Sequence, residues 1–299
     1  MPASISLPNP PRTPPPHWPE FADIFGEDEF GVFCEFVIAD VRFVMRWIPP
    51  GRFLMGSPEL ENGRNAGEGP QHSVTISKGF WMGETPVTQG QWRAVVKAAD
   101  DETQLPAAPS HFKGKDLHPV ESVTWPQCVA FCDRLTSLLG HQIDFCLPSE
   151  AEWEYACRAG TDTAFSDGSA CTIPNGLDPA LEKLGWFNDN SGRMKQAVRQ
   201  KQCNAWGLYD VHGNVWEWCW DGKRSYQRAA CVDPLGSLDA GAGRVLRGGS
   251  LRPWAGLCRS AFRGSLAPGV AWRALGLRLS AGQERVQSGT SAQASPESS

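Results

Sequence analysis

The segment NAWGLYDVHGNVWEWCWD, residues 204–221, decides how the rest of the chain is arranged. It contains four of the 13 tryptophans, together with Gly207, Gly213, Asp210 and Glu217. Tryptophan buries a large apolar area, glycine permits tight turns, and carboxylate oxygens are hydrogen-bond acceptors or ligands of hard cations. The segment therefore predicts a knot of irregular backbone held by aromatic packing. Its two acids either bind a cation or accept hydrogen bonds from turn amides.

The overall composition is typical of a loop-rich protein with little net charge. Its 299 residues include 31 glycines and 24 prolines, and the formal net charge is −5. This length suffices for one large domain with a sizeable core or for two small domains. Because basic residues are not in excess, no global positive field predicts a nucleic-acid partner.

Membrane and export signals are missing from the sequence. No apolar run approaches the roughly 18 residues of a membrane-spanning helix, and the N-terminal stretch lacks the basic start and apolar core of a secretory signal. We therefore expect a cytoplasmic protein that binds no membrane. Its ten cysteines are then expected to be mostly reduced and buried, where thiols behave as small hydrophobic side chains.

Short segments outside the knot show the patterns of strands and helices. Residues 35–48 are rich in Val, Ile and Phe and alternate in places, which predicts a β-hairpin. Thr88 is placed to cap a first helix, and apolar residues at three-residue steps over 126–139 predict a second. Ser149 and Glu152 have the spacing of a capping box, which predicts a short third helix.

The two ends of the chain differ in composition from its middle. Residues 1–30 begin with a proline-rich stretch, which predicts an extended arm because proline lacks the amide donor of helices and central strands. A plain linker is one interpretation of this arm, and a ligand for a proline-recognition module is the other. Residues 282–299 are rich in Ser, Gln and Gly, which predicts a disordered tail. A single domain is expected over residues 31–281.

Motifs spread along most of the chain belong to one pattern. They are GLYDVHGNVWEW in the knot, FLMGSP (residues 53–58), GFWMGETPVTQGQW (79–92), PVESVTW (119–125), LPSEAEWEYACRAGT (147–161) and RVLRGGS (244–250). Their order and wording resemble the formylglycine-generating enzymes, or sulfatase-modifying factor family. The resemblance implies an α+β domain with a variant of the C-type lectin fold, loop-rich, with short antiparallel sheets and two main helices.

The resemblance also implies calcium. Enzymes of this family bind the ion at two places, and hard oxygen ligands suit it. The residues that match the first place are Asp210 and Glu217 by their carboxylates and Gly213 and Val215 by their carbonyl oxygens. The second place would begin at Asn190 and the Ser191 carbonyl, but residues 192–203 offer no match for its remaining ligands.

The residues that catalysis requires in this family are missing. The enzymes hold copper with two cysteines about five residues apart, shortly after the GGS motif, and thiolates are natural Cu(I) ligands. In the corresponding run, residues 248–269, Cys258 is the only cysteine. Related iron-dependent oxygenases use a histidine cluster from an additional helical domain, whereas this chain has six scattered histidines. We expect neither copper nor iron and no catalysis; an oxidase or oxygenase relative with an altered metal site is the alternative.

A second resemblance accounts for the C-terminal stretch. After RVLRGGS the chain keeps Cys258, Arg263, Gly276 and Arg278 of a pattern that resembles the variable proteins of diversity-generating retroelements. It departs from that pattern mainly where the relatives carry asparagine. The predicted variable positions, within a region of about residues 244–279, are Leu251, Arg252, Trp254, Ala255, Leu257, Gly264, Leu266, Val270, Trp272, Arg273 and Ala274.

These departures predict a binding function. Adenine-directed mutagenesis rewrites asparagine codons without creating stop codons, so a diversified copy keeps its scaffold while these positions change. Tryptophan and arginine are enriched among binding hot spots, and apolar residues on solvated loops form an interaction patch. Ordinary divergence, with the tryptophans in the core, is the alternative. We therefore expect a non-catalytic monomer whose variable positions form one solvent-facing site for a macromolecular ligand, with a protein as the expected class.

Overall fold

The computed structural model describes residues 13–17, 19–98, 105–239, 241–251 and 254–282. The strands are β1 (Ile24–Asp28), β2 (Gly31–Ile38), β3 (Val41–Ile48), β4 (Gly51–Met55), β5 (His72–Ile76), β6 (Phe80–Gly83), β7 (Phe145–Cys146), β8 (Trp216–Gly222), β9 (Cys231–Val232), β10 (Arg244–Arg247), β11 (Gly264–Leu266), β12 (Leu275–Gly276) and β13 (Ser280–Ala281). The helices are α1 (Gln89–Ala98), α2 (Trp125–Leu138), α3 (Glu150–Arg158) and α4 (Leu181–Leu184). The predicted α+β class is confirmed.

The described strands form three sheets. Their orders are β1-β2-β3-β6-β13-β7, β11-β10-β8-β12 and β4-β5-β9. Strands β2 and β3 pair antiparallel from Phe33 opposite Arg46 to Ile38 opposite Val41, which confirms the hairpin predicted over residues 35–48. Strand β12 runs parallel to β8 and β9 runs parallel to β5, whereas the other pairs among the described strands are antiparallel.

Side-chain caps fix the predicted helix starts. The Thr88 hydroxyl accepts the Gln91 N–H at 3.2 Å, immediately before α1. A capping box at Thr124 opens α2 one residue before its predicted start, and the Ser149 hydroxyl accepts the Glu152 N–H at 3.2 Å before α3. Each cap satisfies backbone donors that the first turn of a helix leaves without an intrahelical partner.

Strand β8 of the knot lies between two cores. Trp216, Trp218 and Trp220 lie in the core that also contains the apolar side chains of α2. Cys219, on the opposite face of β8, belongs to the second core, beneath α3. The preceding residues 204–215 contain no helix or strand, and Asp210 and Gly213 have φ values of 57° and 124°. The predicted knot of irregular backbone and aromatic packing is therefore present.

The fold begins earlier than the predicted boundary at residue 31. Strand β1 pairs with β2, Phe21 is buried, and its ring packs edge-on against those of Phe36 and Phe145. The assignment of residues 19–30 to the arm was therefore wrong, because the alternation of the short β1 is too weak to identify it as an edge strand. Residues 1–12 of the arm and 283–299 of the tail lie outside the described residues. All cysteines except Cys203 and Cys231 are buried.

None of the helices in the described ranges is both long and apolar enough to cross a bilayer.

His212, within the knot, is buried as a neutral side chain. Its Nδ1–H donates to the Cys258 carbonyl oxygen at 2.8 Å, and its Nε2 accepts the Ser166 N–H at 3.0 Å. Burial lowers the pKa of His212 to about 4. Because Nε2 must remain an acceptor, a protonated ring would break this arrangement.

We predict a pH dependence of stability from His212. Its folded-state pKa lies below the unfolded value, so its contribution is complete above about pH 6.5 and is lost as the pH falls towards about 4, by about 3 kcal/mol. Urea unfolding of the wild type and His212→Gln between about pH 7 and pH 4.5 measures this, since other titrating groups cancel in the difference. A pH-independent difference would contradict the prediction.

Candidate ligand-binding surface

Two loops of the predicted variable region leave the four-stranded sheet at the same end. Strand β10 is antiparallel to β8, with Arg247 opposite Glu217, whereas β12 is parallel to β8, with Leu275 opposite Trp216. The loop after β10 and the loop before β12 therefore both lie at the start of β8. This topology brings residues from the two halves of the variable region together.

Hydrogen bonds to the main chain of both loops fix them to the knot and to residues 191–195. The Leu251 N–H donates to the Asn214 carbonyl at 3.2 Å, and the Leu251 carbonyl accepts from the Ser191 hydroxyl at 3.3 Å. On the other loop, the Trp216 N–H donates to the Ala274 carbonyl at 2.8 Å, and the Lys195 ammonium donates to the Arg273 carbonyl. The main chain of the surface is thus held independently of most of its side chains.

The side chains that face solvent include both tryptophans of the variable region. Trp254 is 53% exposed, Trp272 38% and Val270 37%, and Arg273 is also exposed. These four side chains lie outside the core and offer two large aromatic surfaces and a guanidinium to solvent. Tryptophans that served only as core residues would be buried, so their exposure favours the binding interpretation over ordinary divergence.

A half-buried margin adjoins the exposed side chains. Leu257 and Leu266 pack against the core that contains the β8 tryptophans. Gly264 and Leu266 lie on β11 opposite Leu246 and Arg244, and thus share one face of the sheet with them. Leu246 and Arg244 are buried, so this is the face that packs on the core, and the exposed residue of β11 is Ser265.

Three predicted positions do not face solvent, which corrects the prediction for them. Leu251, Ala255 and Ala274 are at most 2% exposed. Ala255 packs in a small core with Cys258, and Ala274 packs beside β8. Their side chains point inward because their neighbours in sequence are tied to the knot or to the turn of residues 255–258. Arg252 lies outside the described residues.

Buried arginines of the variable region form the frame of the surface. Arg247 pairs with Glu154 at 2.8 Å and with Glu150 at 3.0 Å, and both ends of each pair are buried. The same arginine donates to the carbonyl oxygens of Ser260 and Phe262 at 3.0 and 3.2 Å. Burying several charges is tolerated only where they are paired and hydrogen-bonded, as they are here.

Three more arginines repeat this arrangement. Arg259 pairs with Glu68 at 2.7 Å, Arg263 pairs with Glu150, and Arg278 pairs with Glu217 at 2.8 Å. Each also donates to backbone carbonyls. The acceptors are the distant Gly63 and the nearby Gly256 for Arg259, Gly67 and Arg224 for Arg263, and Gly83, Glu84 and Tyr209 for Arg278. The sequence pattern does not indicate the role of these arginines, since their partners lie up to 198 residues away in the chain.

The environment of Cys258 is that of a core thiol. The side chain is fully buried, and burial raises its pKa to about 12. A Cβ built on Gly249 would fall within 3.0 Å of its sulfur, so the thiol is packed against the GGS turn. A thiol in this state is a poor metal ligand, because ligation requires the thiolate.

Two glycines differ in whether their position tolerates a side chain. A Cβ on Gly276 would lie within 3.0 Å of the Val120 carbonyl oxygen. This oxygen belongs to the backbone, so it cannot move away without disturbing the fold. A Cβ on Gly264 would meet only the Leu246 side chain, at 3.5 Å or more, which is ordinary van der Waals contact. Position 264 therefore accepts a side chain and position 276 does not.

The acids of the knot already have protein donors. Both Glu217 oxygens accept from Arg278, and one also accepts the Trp153 indole N–H at 2.6 Å. Asp210 accepts the Arg199 N–H at 2.9 Å and the Asn214 amide at 3.2 Å. Burial raises the pKa of Asp210 against these donors. Asp210 thus retains acceptor capacity for a cation, whereas Glu217 would have to exchange a donor for it, and calcium here stays a prediction.

The residues matched to a second calcium site act in turns. The Asn190 side chain accepts the Phe187 N–H at 2.8 Å and donates to the Gly185 carbonyl at 2.9 Å. The Ser191 carbonyl accepts from Gln196 at 3.0 Å. These bonds shape the loop that holds Leu251.

Comparisons with known proteins agree with this fold. The family model for the sulfatase-modifying factor enzyme 1-like domain matches residues 42–281. The chain is 30% identical to the formylglycine-generating enzyme of Streptomyces coelicolor over 302 aligned positions, which cover 82% of this chain and 91% of that enzyme.

Two solved structures extend the comparison. Treponema denticola variable protein 1 superposes with a TM-score of 0.70 at 29% identity, covering 83% of this chain and 98% of that one. PvdO from Pseudomonas aeruginosa superposes with a TM-score of 0.65 at 24% identity, covering 87% and 98%, and shows the fold alone. Both resemblances drawn from the motifs are thereby confirmed.

The glycine contrast gives a stability prediction. Gly276→Ala should destabilise the fold by roughly 1–3 kcal/mol, because its Cβ overlaps backbone, whereas Gly264→Ala should stay within about 0.5 kcal/mol of the wild type. Chemical denaturation of the two variants measures the difference. If both variants lost the same free energy of unfolding, position 264 would belong to the frame.

The remaining acceptor capacity of Asp210 gives a calcium prediction. If the knot binds the ion, calcium raises the melting temperature of the wild type by mass action and leaves that of Asp210→Asn unchanged. Asp133→Asn, which removes an acid from α2, is the control and should retain the response. If the wild type has the same melting temperature in calcium and in chelator, the knot does not bind calcium.

Proposed function

The chain belongs to the family of sulfatase-modifying factor enzyme 1-like domains, and from this premise we propose that it is a non-catalytic member that binds a macromolecular ligand through its C-terminal surface. The observation that supports the proposal most strongly is the exposure of Trp254 and Trp272 on loops whose backbone is fixed to the knot. A protein is the proposed ligand class, in the cytoplasm, with the chain acting as a monomer.

The buried arginines of the frame and the exposed variable positions are different residues, which supports diversification of the surface. The frame uses Arg247, Arg259, Arg263 and Arg278, whose side chains point inward to glutamates and loop carbonyls. The exposed positions between them contribute little to these contacts, so their side chains can change without removing a buried partner. Such a surface, with a few aromatic and arginine contacts, supports micromolar to nanomolar binding, roughly 8 to 12 kcal/mol.

An enzyme remains the second candidate because of one observation, the 30% identity to the formylglycine-generating enzyme of Streptomyces coelicolor. Against it stand the single cysteine after the GGS turn and the burial of that thiol. Two thiolates are needed for a linear Cu(I) site, and one buried thiol cannot supply it. An iron-dependent oxygenase relative with an altered metal site belongs to the same candidate.

We predict that the gene carries the mark of adenine-directed diversification. Sequencing the locus across many copies should reveal a near-repeat of the codons for residues 251–279 beside a reverse transcriptase. Mismatches should fall on template adenines and concentrate at the exposed or half-buried positions, with the codons of Arg259, Arg263 and Gly276 unchanged. If no such repeat exists, or if mismatches are spread evenly over frame and surface, the diversified receptor is excluded.

Metal titration separates the binding protein from the enzyme. Adding Cu(I) or Fe(II) to the purified chain, with a cysteine-containing sulfatase peptide and oxygen, should give no oxygen uptake above that of the metal alone. Cys258→Ser is the control, and it should behave as the wild type does. Uptake that depends on the chain and is lost in Cys258→Ser would establish the enzyme instead.

A further inference from the structure

A second aromatic feature lies on the six-stranded sheet, away from the predicted variable region. Trp47 on β3 stands opposite Trp81 on β6, and their rings pack edge-on with centroids 5.3 Å apart. Together with Pro50 and Ile143 they line a groove with a volume of about 550 Å³. The groove is walled mainly by apolar and aromatic side chains.

Gly79 holds the Trp47 ring in this groove. A Cβ at position 79 would fall within 3.0 Å of two atoms of the Trp47 six-membered ring. The indole therefore lies directly on the backbone of Gly79, which is also part of the groove lining. A ring held between a glycine and a second tryptophan has few alternative rotamers, so its N–H has a fixed direction.

The chain's own proline-rich arm lies across the groove and forms part of its wall. Thr13, the three prolines 14–16 and His17 are all part of its lining, and the Trp47 indole N–H donates to the Thr13 carbonyl at 2.7 Å. Proline lacks an amide donor, so a proline-rich strand offers carbonyl acceptors and ring faces but cannot join a sheet. Aromatic grooves with a directed donor bind such strands in the polyproline II conformation.

We propose that the groove between Trp47 and Trp81 is a polyproline-binding groove, held closed within one chain by the arm segment Thr13–Pro16. This site is independent of the proposed C-terminal binding surface, since none of its residues lies between residues 244 and 279. Of the two interpretations that the sequence left open for the arm, the proline ligand is the one that this geometry supports, with the recognition module in the same chain.

The connection to the core explains why the chain's own arm lies across the groove. Phe21 is buried, with its ring 5.5 Å from that of Phe36 and 5.6 Å from that of Phe145. It fixes the arm only five residues after Pro16. A short tether gives an effective concentration in the millimolar range, so even weak polyproline binding is largely satisfied in cis.

The test uses the full chain with the arm released. Replacing Pro14, Pro15 and Pro16 together by alanine removes the fixed φ of proline from a segment in which Pro14 and Pro16 are exposed and Pro15 is buried, and it changes no residue of a helix or strand. A labelled peptide with the sequence of residues 10–17, PPRTPPPH, is then titrated by fluorescence anisotropy into the wild type and the arm variant. Trp47→Phe in the arm variant is the matched control, since it keeps an aromatic ring and removes the N–H donor.

The proposal requires that the peptide binds the arm variant. It should bind the wild type at least about tenfold more weakly, and it should also bind the variant that carries Trp47→Phe in addition more weakly than the arm variant. The Trp47 indole resonance, assigned by its loss in Trp47→Phe, should shift when the arm is released. Absence of peptide binding to the arm variant, or an unchanged indole resonance, would overturn the proposal. A wild-type dimer that the arm variant converts to a monomer would also overturn it, because the occupant would then come from a second copy.

Discussion

The paired burial of arginine and glutamate is the interaction on which this structure depends. A chain with many loops leaves carbonyl groups without the ladder partners that helices and sheets provide, and a buried carbonyl without a donor destabilises the fold. Arg278 donates to the carbonyls of Gly83, Glu84 and Tyr209 while its charge is balanced by Glu217. One guanidinium thus joins residues 83–84 and the knot to the C-terminal segment, which a neutral side chain with fewer donors could not do.

The same pairs explain how an irregular surface can be both ordered and tolerant. In the C-terminal region the side chains that carry order point inward, as Arg247 and Arg263 do towards Glu150. The side chains that face solvent, such as Trp254 and Trp272, lie on backbone that other residues hold in place. One set of residues therefore keeps the surface ordered and another set determines its chemistry. This division allows the exposed side chains to change while the backbone keeps its structure.

Local signals in the sequence predicted the local features. The caps at Thr88 and Ser149 and the hairpin of residues 35–48 were predictable because they depend on neighbours within a few residues. The burial of Leu251 and Ala274 was not, because it depends on bonds to Asn214 and Trp216, which no local pattern indicates. For the same reason no motif could show that Arg259 meets Glu68, 191 residues earlier in the chain.

The aromatic residues show the limit of composition as a guide. Trp47, Trp218 and Trp254 are the same residue in three physical settings: a donor to the proline arm, a core side chain whose N–H binds the Val123 carbonyl, and an exposed ring. The alternation of β8 predicts the second setting, because its tryptophans recur at every other residue. The other two depend on what lies opposite, Gly79 and Thr13 for Trp47 and solvent for Trp254. A tryptophan in this chain therefore acquires its role from the backbone that approaches it, and the irregular loops determine that approach.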